Sequence, residues 1–152
     1  MNPFASLPGR IVFGVFFVTV VALFAMLPVR ADVRIVSSPG GAVDAYLAAF
    51  ARVRQSGERV VIDGPCLSAC TLVLSTIPRN RICVTRRAVL GFHAPRWFEP
   101  TSGHTWRAPE ATRAVTASYP AGVRAWIKKR GGLTQKVIYL RGQDLAALYP
   151  RC

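Results

Sequence analysis

Apolar and polar positions alternate from Val33 to Ser37 (VRIVS), and the β-branched residues there predict a strand. From Ala42 to Gln55 the period changes. Val43, Tyr46, Leu47, Phe50 and Val53 recur at helical spacing, and Gly57 follows as a stop. Glu58 to Asp63 (ERVVID) reads as a second strand. Between the first strand and the helix lies SSPGG, Ser37 to Gly41, a turn in which Pro39 fixes one dihedral and two glycines are free to take positive φ. Strand, glycine turn, helix, strand is an order that predicts a right-handed crossover and parallel pairing.

Gly64-Pro65 breaks the second strand. Ser68 to Ile77 (SACTLVLSTI) is uncharged and has no polar face, which predicts a helix buried on most sides. Pro78 to Arg81 reads as a turn, and Ile82 to Thr85 and Ala88 to His93 as strands. Arg96 to Pro109 (RWFEPTSGHTWRAP) mixes turn residues with aromatics and predicts a surface loop or lid. Pro109 to Ser118 and Ala121 to Arg130 read as helices, the second with Trp126 and Ile127 facing inward and closed by Gly131-Gly132. VIYL is a last strand, and Gln143 to Leu148 a last helical turn. The fold class is therefore α/β.

The N-terminal part carries a different pattern. Ile11 to Leu27 has no charge, follows a short region whose only charged side chain is Arg10, and ends in PVRAD, where Val29 and Ala31 form a small-residue processing site. Residues 1–31 read as a signal peptide cleaved after Ala31, or as an uncleaved anchor of nearly spanning length. Both readings put 32–152, one small domain, outside the cytoplasm, in the periplasm or an equivalent space, free or anchored in the inner membrane by 11–27.

All four cysteines, Cys66, Cys70, Cys83 and Cys152, fall in that exported part. Disulfides are expected there, with three pairings open. The C-x-x-x-C spacing suits neither the usual zinc sites nor a C-x-x-C redox motif, so no metal is expected. The formal charge of +13 would draw the chain to anionic lipid surfaces, polyanions or acidic polypeptides. The cations are dispersed and mostly arginine, with no nucleic-acid module, so no specific nucleic-acid partner is expected.

Candidate chemistry centres on Asp63 to Pro95. Ser68 stands at the head of an apolar helix and His93 at the end of an apolar strand, where open sheets place their sites. Serine needs a base to take its proton and donors for the oxyanion. The amide of Ala69 and one from the Gly40-Gly41 turn could converge on that charge. A serine at a helix start also reads as an N-cap, and His93 as a satisfied core histidine.

SSPGG, a helix and a strand, then G-x-x-x-S-A at the head of an apolar helix, then FHAP after two strands, resembles the Clp protease proteolytic subunit and its exported ClpP/crotonase-like relatives. The resemblance covers roughly Val33 to Pro95. It implies a spiral of β-β-α units and a serine peptidase with no cofactor, acting on a peptide or protein substrate, in a family that forms homo-oligomers. Carried over, Ser68 is the nucleophile, His93 the general base, and the amides of Gly41 and Ala69 the oxyanion hole.

One member of the family's site is missing. An aspartate precedes the segment that Tyr139 to Pro150 resembles, and at that place this chain has Lys136, Val137 and Ile138. The third member of the triad is therefore unknown. Asp144 reads as structural, Glu99 and Glu110 lie in an insert-like segment, and a lysine base would have to come from Lys128, Lys129 or Lys136. Two functions remain open: an exported serine hydrolase, or a non-catalytic relative that binds a peptide, an acyl group or an envelope partner in the same groove.

Overall fold

The computed structural model describes residues 31–152. The Ile11–Leu27 span lies outside them. Among the described residues, no helix is long and apolar enough to cross a membrane.

Strand β1, Val33–Ile35, leads into helix α1, Val43–Ser56. Phe50 is the buried anchor of α1, and Val43, Tyr46 and Val53 pack against the core from the same face. Asp44 in the first turn and Arg54 in the last complement the helix dipole, and Gly57 ends the helix at φ 79°. Strand β2, Val60–Ile62, then returns beside β1 in the expected parallel sense, Val33 opposite Val60. Strand β4, Ile82–Val84, pairs parallel with β2 and completes a three-stranded sheet of order β1-β2-β4.

A second sheet is built from β3, Pro65–Leu67, β5, Val89–Phe92, and β8, Ile138–Arg141. β3 and β5 are parallel, and β8 runs antiparallel to β5. The chain visits the two sheets in turn. After β1 comes Ser38, bridged to Cys66 of β3; after β2 comes β3; after β4 comes β5. Strand β3 departs from the expected break at Gly64-Pro65. Proline is tolerated as a strand's first residue because the missing N–H costs least there, and Pro65 opens β3.

The apolar run that follows is two pieces. Ser68–Leu72 is a 3-10 turn, and α2, Val73–Thr76, is one α-helical turn. Ala69, Cys70, Thr71, Leu72, Val73 and Leu74 are all buried, as the missing polar face requires. Arg96 to Pro109 also differs from expectation. It holds a β-hairpin, β6, Arg96–Phe98, with β7, Thr105–Arg107, in which Trp97 faces Trp106 across the strands. Both tryptophans are exposed, at 57% and 46%, so this hairpin is not packed onto the core.

Helices α3, Pro109–Ser118, and α4, Ala121–Lys129, follow the hairpin, and Val115 of α3 packs against the core. Val123 and Ile127 of α4 are buried, and Trp126 packs against the core. The Tyr119 ring, between α3 and α4, meets Phe92 edge-on at 5.3 Å. Helix α5, Gly142–Leu148, is tied to α4 through Asp144, which accepts from Trp126 Nε1 at 3.1 Å and pairs with Arg130 at 3.0 Å. Asp144 is thus engaged structurally, as its position in the sequence suggested.

The change-over between sheets is held by charge. Asp63, at the end of β2, is 4% exposed and accepts from Arg34 on β1 and from Arg87 and Thr85 after β4. Two disulfides add covalent ties, Cys66–Cys70 and Cys83–Cys152, with Cα separations of 5.3 and 5.0 Å. They fit an oxidising compartment. The first closes a four-residue separation and the second one of 69.

Loop-closure entropy assigns about 4 kcal/mol to the long loop and about 2 kcal/mol to the short one. Chemical denaturation is therefore expected to show Cys83→Ser/Cys152→Ser losing about twice the stability that Cys66→Ser/Cys70→Ser loses. Acid titration is the second check. Hydrogen bonds from Arg87, Thr85 and Arg34 hold the Asp63 carboxyl well below its ordinary value of 3.8. The stability it contributes is complete above that value and is lost as pH falls from there through the lower folded value. Urea midpoints of the wild type are expected to drop below about pH 4, and Asp63→Asn, less stable at neutral pH, is expected to flatten that part of the profile.

Candidate active site

The glycine turn after β1 and the residue after β3 are pressed together. Ser38 donates its amide to Pro65 at 2.8 Å and accepts from Leu67 at 2.9 Å, so the turn rides on β3 as a short extension of the second sheet. Ser38 Oγ also meets Tyr46 Oη at 2.7 Å, which fixes the turn to α1. Gly40 then lies against Ser68. A Cβ at Gly40, whose φ is 87°, would fall 2.5 Å from Ser68 Cβ, 2.6 Å from Leu67 O and 3.0 Å from the Ala69 amide nitrogen. Only glycine fits there.

Ser68 itself has φ 54° and is the one non-glycine residue with positive φ among those described. A left-handed serine costs roughly 1 kcal/mol or more, and it persists where its surroundings leave no alternative. Three constraints do so here. Gly40 blocks one side, the Cys66–Cys70 disulfide straddles the residue, and its carbonyl is bound from within. Thr71 Oγ1 donates to Ser68 O at 2.6 Å, and Tyr119 Oη donates to Thr71 Oγ1 at 2.6 Å. Burial pushes the Tyr119 hydroxyl up to about 12, so it stays a donor through the neutral range.

The N-cap of the 3-10 turn is Leu67, and no side-chain cap hydrogen bond is made there. Ser68 therefore does not cap this turn. It occupies the bend between β3 and the buried 3-10 turn, where it is half-buried. The amides of Ala69 and Gly41 belong to the two segments that Gly40 and Ser68 bring into contact.

His93 follows β5 directly. Leu67 is paired with Gly91, so Ser68 and His93 lie just beyond the same ends of adjacent parallel strands, whose axes stand about 4.8 Å apart. No hydrogen bond joins the Ser68 hydroxyl to the His93 ring. His93 Nδ1 instead bonds the Ala94 carbonyl at 2.8 Å. A carbonyl only accepts, so Nδ1 carries the proton, and the neutral ring presents Nε2 as its acceptor. The Ala94 amide donates to Thr134 O at 2.7 Å, which anchors this residue to the segment ahead of β8.

The antiparallel register of β5 and β8 pairs Phe92 with Ile138; ahead of Ile138 the chain is irregular, with Val137 against Gly91 and Thr134 receiving the Ala94 amide. The stretch singled out for the third member, Lys136 to Ile138, leads into β8 next to β5 and carries no carboxylate. Among the described residues no Asp or Glu bonds His93, and neither Lys128, Lys129 nor Lys136 bonds Ser68. The partner that His93 has is a main-chain oxygen. A reading of side chains has no means to find it. Among the described residues there is also no cluster of His, Cys, Asp and Glu that could hold a metal ion.

No protein-family model matches this chain, and no curated protein matches it.

The close approach at Gly40 makes the sharpest test of this geometry. Gly40→Ala is expected to lose about 3 kcal/mol in urea denaturation, from overpacking against backbone together with a disfavoured φ. Ser68→Gly, which relieves φ and removes no cap, is expected to match or exceed wild-type stability.

Proposed function

We propose that the chain is an exported serine hydrolase, a peptidase in the first instance, on a ClpP/crotonase-like fold. Ser68 is the nucleophile. His93 Nε2 takes its proton and returns it to the leaving group, while the amides of Gly41 and Ala69 receive the oxyanion. The chemistry calls for no cofactor. The observation that carries the reading is the φ of 54° at Ser68, because strained backbone at a non-glycine residue, held by its surroundings, clusters at functional sites. The alternation of β1, β2 and β4 with strands of the second sheet supports the spiral of β-β-α units that the motif order suggests.

The Ala94 carbonyl acts as the orienter that a triad aspartate provides elsewhere. It selects the useful tautomer, yet it is neutral and stabilises the imidazolium less than a carboxylate does. Losing that carboxylate costs about 10⁴ in rate in a well-studied triad, so turnover here is expected to be slow. Hydrogen bonds of this kind often tighten only when substrate is bound, which reconciles the open Ser68 to His93 arrangement with the role assigned to it.

The same missing charge favours a second reading, a non-catalytic relative that binds a peptide or envelope partner over Ser68. A fluorophosphonate probe separates the two. Covalent labelling of the folded protein is expected, abolished in Ser68→Ala and reduced at least about 100-fold in His93→Ala, the usual worth of a general base. Folded wild-type protein that takes no label would leave the binding reading in possession.

A further inference from the structure

A cavity of about 610 Å³ opens beside Ala94, the residue that follows His93 and orients its ring. Its size lies within the range of ordinary ligand sites. Three cations line it, each from a different part of the chain: Arg107 on β7, Arg113 on α3 and Lys136 ahead of β8. No acidic residue lines it. Ala94, Ala108 and Leu133 supply apolar wall between the charges.

The charge in this cleft is poorly compensated from within. Arg107 and Lys136 have no carboxylate partner among the described residues, and Arg113 has only Glu110 at 3.9 Å, both side chains largely in water, a pair worth little. The buried acid, Asp63, is already shared by Arg34 and Arg87, and Asp144 is taken by Arg130 and Trp126. Three like charges around an apolar concavity repel one another until an anion enters. A guanidinium also matches the two oxygens of a carboxylate.

We propose that this cleft binds a carboxylate of a peptide, either a free C-terminus or an acidic side chain, with the neighbouring apolar residue on the Ala94, Ala108 and Leu133 wall. The assignment deepens the hydrolase reading by naming its substrate class. It rests on that reading for the bond-breaking step and not for binding.

The test is fluorescence polarisation with the full chain carrying Ser68→Ala, which removes turnover and leaves the cleft intact. The probes are a dye-labelled Ala/Leu heptapeptide with a free C-terminus, its C-terminal amide, and the amide with one internal glutamate. Tighter binding of the free acid identifies the C-terminus as the ligand, and tighter binding of the glutamate amide the side chain; either supports the cleft. The triple variant R107Q/R113Q/K136Q is expected to lose about tenfold or more in affinity. R52Q/R86Q/K129Q, equal in charge and outside the cleft lining, is expected to keep it. All six side chains are exposed, and thermal melts confirm that both triples fold.

Equal binding of all three peptides, equal loss in both triples, or binding only to anionic phosphatidylglycerol vesicles would overturn the assignment. Because the readout is affinity, a protein that binds the carboxylate but takes no fluorophosphonate would sink the hydrolase reading alone.

Discussion

The contact between Gly40 and Ser68 is the constraint on which the rest of the site depends. A backbone without Cβ allows the turn after β1 to sit directly on the residue after β3, and that residue is thereby kept in a conformation it would otherwise leave. Everything nearby reinforces the arrangement. Ser38 pairs with both ends of β3, Tyr46 fixes Ser38 from α1, and Tyr119 reaches Ser68 through Thr71. Tyr119 also packs edge-on against Phe92, so the bend at Ser68 and the strand that delivers His93 share one buried brace. Local strain of about 1 kcal/mol is small beside the packing that opposes its release.

Much of this was legible from residue order. The spacing of Val43, Tyr46, Phe50 and Val53 marks α1, and the sequence strand, glycine turn, helix, strand is what parallel pairing of β1 with β2 requires. Ser68 at the head of a buried run and His93 at a strand end are likewise visible, since both follow from where apolar runs begin and stop. The bridge between Ser38 and Cys66 is non-local, and with it the reason that SSPGG and Ser68 meet.

The parts that stayed hidden share a physical cause. Pro65–Leu67 becomes a strand only because β5 arrives beside it, and three residues with a proline hold no period of their own. The run from Ser68 to Ile77 has no polar face, so nothing in it distinguishes one helix from a tight turn followed by another. In β6 and β7 the turn residues outnumber the strand formers, and the pairing of Trp97 with Trp106 is a property of register. The orienter of His93 is a carbonyl oxygen, an atom that every residue possesses.

The Cys66–Cys70 link encloses Ser68 within its own small ring. The shape of the bend is consequently coupled to the redox poise of its surroundings. A thiol reductant would open this ring together with the Cys83–Cys152 tie, leaving the bend to the Gly40 contact and the Thr71 hydrogen bond alone.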